Sequence, residues 1–130
     1  MSRTTATDLL AAIDIAPDEA RALSRYVTVI DVEPGQVLCE QGRTRSQMAW
    51  LLAGSAAVVR GGVRIATLSA GDVAGEITAV ADVPAYTADV TFLEPSTVAV
   101  LSVPEWRQVA GRVPELRGRL LEIAASRRGR

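Results

Sequence analysis

The sequence predicts a mainly β domain, an antiparallel sandwich or barrel with helices at both ends. Three observations predict it. Between about residues 27 and 102, short runs rich in Val, Ile, Leu and Thr are broken at close intervals by glycine. The pair Gly61-Gly62 sits between two such runs, the signature of a tight hairpin and hence of antiparallel neighbours. On either side of this stretch the apolar spacing changes from two residues to about 3.6, the helical repeat.

Taken in order, Leu9, Leu10 and Ile13 share one face of a short helix that Thr7 caps. Pro17 suits the first turn of a second helix. Asp18 and Glu19 favour the positive end of its dipole, and Ala20, Leu23 and Val27 continue its apolar face. Residues 1–26 are therefore expected to form two N-terminal helices. Strands are expected over Val27–Val32, ending at Pro34-Gly35, then over Val37–Glu40, Met48–Leu52, Ala56–Arg60 and Val63–Leu68. Gly35, Gly42, Gly54 and Gly71 fall at the junctions. A short helix is expected at about 75–81, followed by strands at about Thr87–Phe92 and Thr97–Ser102. Pro104 opens a turn in which Trp106, Val109 and Ala110 share a face. Pro114 opens a last helix, where Leu116, Leu120, Ile123 and Ala124 follow helical spacing. The barrel thus spans 27–102 and the C-terminal helices 103–126, within one domain covering 1–130.

Composition narrows the chemistry. The chain has 130 residues, enough for one core, and 48% of them are apolar, so it is globular rather than disordered. It has no apolar run near the roughly 18 to 20 residues that span a bilayer, and Met1–Thr5 lack the apolar core of a secretory signal. A cytoplasmic location without membrane insertion is expected. Histidine is absent, cysteine occurs once and every basic residue is arginine. These absences remove imidazole bases and ligands, thiolate clusters, P-loops and lysine nucleophiles, so no catalysis and no metal are expected. A net charge of −1 argues against direct nucleic-acid binding. Cys39 is expected to be buried, Trp50 and Trp106 to serve the core, and the arginines from 117 to 130 to form a solvated face.

The order of the glycines carries a resemblance. Val32-Glu33-Pro34-Gly35-Gln36-Val37-Leu38-Cys39-Glu40-Gln41-Gly42, then Trp50-Leu51-Leu52-Ala53-Gly54-Ser55, then Ile65–Ile77 with its Gly71-Asp72 turn and Gly75-Glu76 pair, resemble the successive signatures of cyclic-nucleotide-binding domains. The resemblance covers roughly residues 9 to 125. It implies a jelly-roll barrel and a regulatory domain in which a ligand draws the C-terminal helix over its pocket. It also implies that Gly75, Glu76 and Ile77 open the phosphate-binding cassette, with Gly75 a backbone donor and Glu76 the acceptor for the ribose hydroxyl.

At the station where that family places an arginine, ten residues after the glutamate, this sequence has Tyr86. Thr87 and Ala88 match the two positions after it. Removing one partner of a buried charge pair costs on the order of 2 to 5 kcal/mol, or roughly 30-fold to several thousand-fold in affinity. A helix dipole returns about 1 kcal/mol. Asp82 and Asp89 add negative charge nearby, and the tyrosine is expected to fill the vacated space. Arg43, Arg45, Arg60 and Arg64 are candidates to replace the missing guanidinium. The resulting expectation is a non-catalytic regulatory domain with weakened or lost cAMP and cGMP binding and no cofactor. Its partners are a host protein or further copies of itself, with a cyclic nucleotide or another small molecule as ligand. The alternative is a ligand-independent interaction or assembly module on the same barrel.

Overall fold

The computed structural model describes residues 16–42, 47–74, 88–115 and 118. Within them lie a helix α1 (Pro17–Ser24), eight strands, and a helix α2 (Val103–Arg112). The strands are β1 (Thr28–Val32), β2 (Val37–Cys39), β3 (Gln47–Ala53), β4 (Ala56–Arg60), β5 (Val63–Leu68), β6 (Val73–Ala74), β7 (Asp89–Phe92) and β8 (Ser96–Ser102). The first expected helix, the short helix at 75–81 and most of the last helix lie outside the described residues.

The strands form two four-stranded sheets, ordered β1-β8-β3-β6 (sheet A) and β2-β7-β4-β5 (sheet B), with every pairing antiparallel. Successive strands alternate between sheets up to β4, and the second half retraces the path. This is the jelly-roll arrangement, which places the ends of distant segments side by side. Val32, Ala49, Leu51, Ala74 and Val98 of sheet A meet Cys39, Ala56, Leu68, Val90 and Phe92 of sheet B in one buried cluster, the barrel lumen.

The other face of sheet A carries the helices. Met48, Trp50, Leu52, Val73, Ala99 and Leu101 pack against Ala20 and Leu23 of α1 and Val103, Trp106 and Val109 of α2. Sheet A is thus buried on both faces, which explains why β3 reads as a near-continuous apolar run from Met48 to Leu52. Cys39, Trp50 and Trp106 are all buried, as their sequence contexts suggest.

The helix starts are written locally. Ser102-Val103-Pro104-Glu105 is a capping box: Glu105 N–H donates to Ser102 Oγ at 3.2 Å, and Ser102 N–H donates to Glu105 Oε1 at 2.9 Å. At α1, Glu19 reaches back to accept from Ala16 N–H at 3.3 Å, and Pro17 occupies the first turn.

Two glycine sites fix the turns. Gly61 and Gly62 both have positive φ (58° and 79°), the pattern that lets a two-residue loop match the twist of β4 and β5. Gly54 has φ 97°, and a Cβ there would collide with Ser96 Oγ and the Pro95 carbonyl, so the β3–β4 corner closes directly on β8.

Three ladders are irregular, and one has consequences for the pocket. In β4–β5, Val58 faces Ala66 but Val59 faces Arg64, leaving Ile65 as an extra residue. This bulge breaks the strict alternation of β5.

Candidate ligand pocket

Only Ala88 of the expected cassette residues lies within the described structure; Gly75, Glu76, Ile77, Tyr86 and Thr87 lie outside it. The framework that receives residues 75–87 is nevertheless defined at both ends. Their N-terminal junction is Ala74, the end of β6, paired with Ala49 and buried in the lumen cluster of sheet A. Their C-terminal junction is Ala88, 8% exposed, just before β7 in sheet B. The two junctions therefore belong to different sheets.

Strand alternation assigns a face to each neighbour of that junction. β4 and β7 pair without interruption from Ala56↔Phe92 to Val59↔Asp89. Ala56, Val90 and Phe92 belong to the lumen cluster and Val58 packs against it. Alternation along β4 places Arg60 on the same row as Ala56 and Val58, opposite Val63 of β5. Asp89 and Val59 belong to the outer row, and the bulge at Ile65 places Arg64 beside them. Arg64 is exposed and Arg60 is half-buried.

Two of the four arginines offered by the sequence are thereby separated. Arg64 is turned away from the lumen, while Arg60 stands in its inner row. Arg43 and Arg45 lie outside the described residues.

Asp89 differs from its expected role as a repulsive charge in the pocket. It faces outward, and its Oδ1 accepts from Gln41 N–H at 2.7 Å. Gln41 Oε1 in turn accepts from Gly61 N–H at 3.0 Å. This chain of bonds ties the β2 end, the β4–β5 hairpin and the start of β7 together, and so fixes the backbone around Arg60 and Ala88. Nothing in the sequence announced it, because its partners are 48 and 20 residues apart.

Deeper in the lumen the walls are apolar and close together. Leu38, Ala49, Leu51, Ala56, Leu68, Ala74, Val90, Phe92 and Val98, with Asp72 at the rim, enclose a cavity of about 10 Å³, room for about one water. Asp72 is held in its turn by accepting from Ser69 N–H at 2.8 Å. Among the described residues no cluster of three or more Cys, Asp or Glu is arranged to hold a metal ion, and no helix is long and apolar enough to cross a membrane.

Comparison with known proteins fits this architecture. The chain is similar to cAMP-bound PfPKA-R (18% identity, TM-score 0.76), covering 92% of this chain and 44% of that one. It is similar to the regulatory domain of Toxoplasma gondii PKA with cAMP (20% identity, TM-score 0.76), covering 94% and 49%. A cyclic nucleotide-binding domain from Methylobacillus flagellatus KT is also similar (23% identity, TM-score 0.75), covering 94% and 75%. The chain spans less than half the length of the two PKA structures. No curated protein matches it by sequence. At these identities the structural likeness establishes the fold. The model of the cyclic nucleotide-binding domain matches residues 29–112, well over half of the sequence and nearly all of the barrel. The chain belongs to the cyclic nucleotide-binding domain family.

Proposed function

We propose that this domain is a non-catalytic regulatory module whose affinity for cAMP and cGMP is weakened or lost because its cassette lacks an arginine. One observation carries the reading: between Arg64 and Arg107 there is no basic residue at all. The conclusion therefore does not depend on whether Tyr86 or a near neighbour occupies the arginine station. The same stretch holds Asp72, Glu76, Asp82, Asp89, Glu94 and Glu105. A phosphodiester entering there meets backbone dipoles and no opposite charge from the segment itself. By the cost of an unpartnered buried charge, binding falls roughly 30-fold to several thousand-fold below that of an arginine-containing cassette.

Calorimetric titration of cAMP and cGMP into the protein, carried to millimolar ligand, tests this. The expected result is a dissociation constant weaker than micromolar, or no heat. Micromolar or tighter binding by the unmodified chain contradicts the reading. A defined oligomer or host complex that forms without nucleotide, together with no heat, favours the assembly module instead.

A further inference from the structure

The C-terminal ends of α1 and α2 meet beside an open cleft of about 440 Å³, lined by Arg21, Ala22, Ser24, Arg25 and Arg112. The cleft belongs to the helices seated on sheet A and shares no residue with the lumen. Its backbone is anchored. Leu23 and Val109 are fully buried, and Tyr26 and Val113 pack against the same cluster, so Arg25 and Arg112 each stand on a turn fixed by the core. A single arginine in the last turn of a helix is ordinary, because the dipole favours a cation there. Three guanidiniums around one volume repel each other, and no carboxylate lines this cleft to offset them. Asp18 engages Arg21 from outside the lining. Arg25 and Arg112 are exposed and have no ion pair among the described residues.

From this arrangement we infer that the cleft between the helix ends binds a small phosphate-bearing ligand with two or more negative charges, held between Arg25 and Arg112. A guanidinium presents parallel N–H donors that match the paired oxygens of a phosphate group, and two of them balance a doubly charged one. The Ser24 hydroxyl already donates to the Arg21 carbonyl at 2.8 Å, which leaves recognition to the guanidiniums. Ala22 is the only apolar residue in the lining, so nothing there seats a nucleobase or the apolar side chains of a peptide. Charge is what the cleft reads, and its volume is in the ordinary range for a small molecule. The inference is independent of the cassette reading, since neither cleft nor ligand involves the lumen.

Inorganic pyrophosphate, titrated at low ionic strength into the full chain, is the probe. The wild type should bind it with a dissociation constant of about a millimolar or tighter. Arg25→Gln and Arg112→Gln should each weaken binding roughly five- to tenfold, the effect of one exposed charge-assisted contact. Arg64→Gln, an exposed arginine on β5, should match the wild type. Added salt should weaken binding steadily, because exposed charges are screened. No binding by the wild type at millimolar pyrophosphate overturns the inference, including where an oligoglutamate peptide binds instead. Unchanged affinity in folded Arg25→Gln and Arg112→Gln variants overturns it as well. If those variants do not fold, amide shifts of the wild type decide: pyrophosphate should move the signals of Ser24, Arg25 and Arg112, and shifts confined to other residues overturn the site. A null result with cAMP in the same protein bears on the cassette alone and leaves this measurement standing.

Discussion

The two faces of sheet A are built from different kinds of side chain. Toward the helices β3 offers Met48, Trp50 and Leu52, β6 offers Val73, and β8 offers Ala99 and Leu101, with Trp106 of α2 closing over them. Toward the lumen the same strands offer Ala49, Leu51, Ala74 and Val98. Alternation along a strand makes these neighbours in sequence and opposites in role. The helix face is filled with large side chains that give α1 and α2 their seat. The lumen face carries two alanines beside Leu51 and Val98 and packs closely against sheet B, leaving a cavity of about 10 Å³. One side of the sheet seats the helices, and the other closes against sheet B.

This contrast can be broken from either side. Trp106→Ala removes a side chain that is 2% exposed from the centre of the helix seat, and should cost about 3 to 5 kcal/mol in denaturant unfolding. A cost under about 1 kcal/mol shows that α2 is not held through this face. Ala56→Leu, across the lumen, adds volume where only about 10 Å³ is open, and overpacking of this kind should cost about 1 to 3 kcal/mol. If that variant is neutral, the lumen has more slack than its walls indicate.

Smaller effects sharpen the comparison at its edges. Ser102→Ala removes the cap of α2 and should destabilise by about 1 kcal/mol, with Glu105→Ala giving no further large loss because the two act as one box. Gln41→Ala removes the bond to Gly61 N–H and should cost under about 1 kcal/mol of global stability. Its signature should be local, a faster amide exchange at Gly61, and no change there contradicts the tie between hairpin and β2.

Much of the fold was legible in the residues. Glycine-bounded runs of β-branched residues located seven of the eight strands within about two residues, and Gly61-Gly62 marked its hairpin. β6 was missed because Val73-Ala74 is too short to show any periodicity. The start of α2 was placed by Pro104, although the capping box Ser102–Glu105 is the stronger local signal. The pocket was less legible, for a physical reason. Whether Arg60 or Arg64 looks inward depends on the bulge at Ile65, and a bulge is a property of the paired ladder rather than of one strand's alternation. The outward direction of Asp89 likewise follows from its pairing with Val59 and its bond to Gln41.

The central claim is that a guanidinium is missing from the segment between β6 and β7, and restoring it is the direct test. Tyr86→Arg, titrated with cAMP alongside the wild type, should bind at least about 30-fold more tightly, the lower end of what a buried charge partner contributes. A folded Tyr86→Arg variant with wild-type affinity contradicts the account.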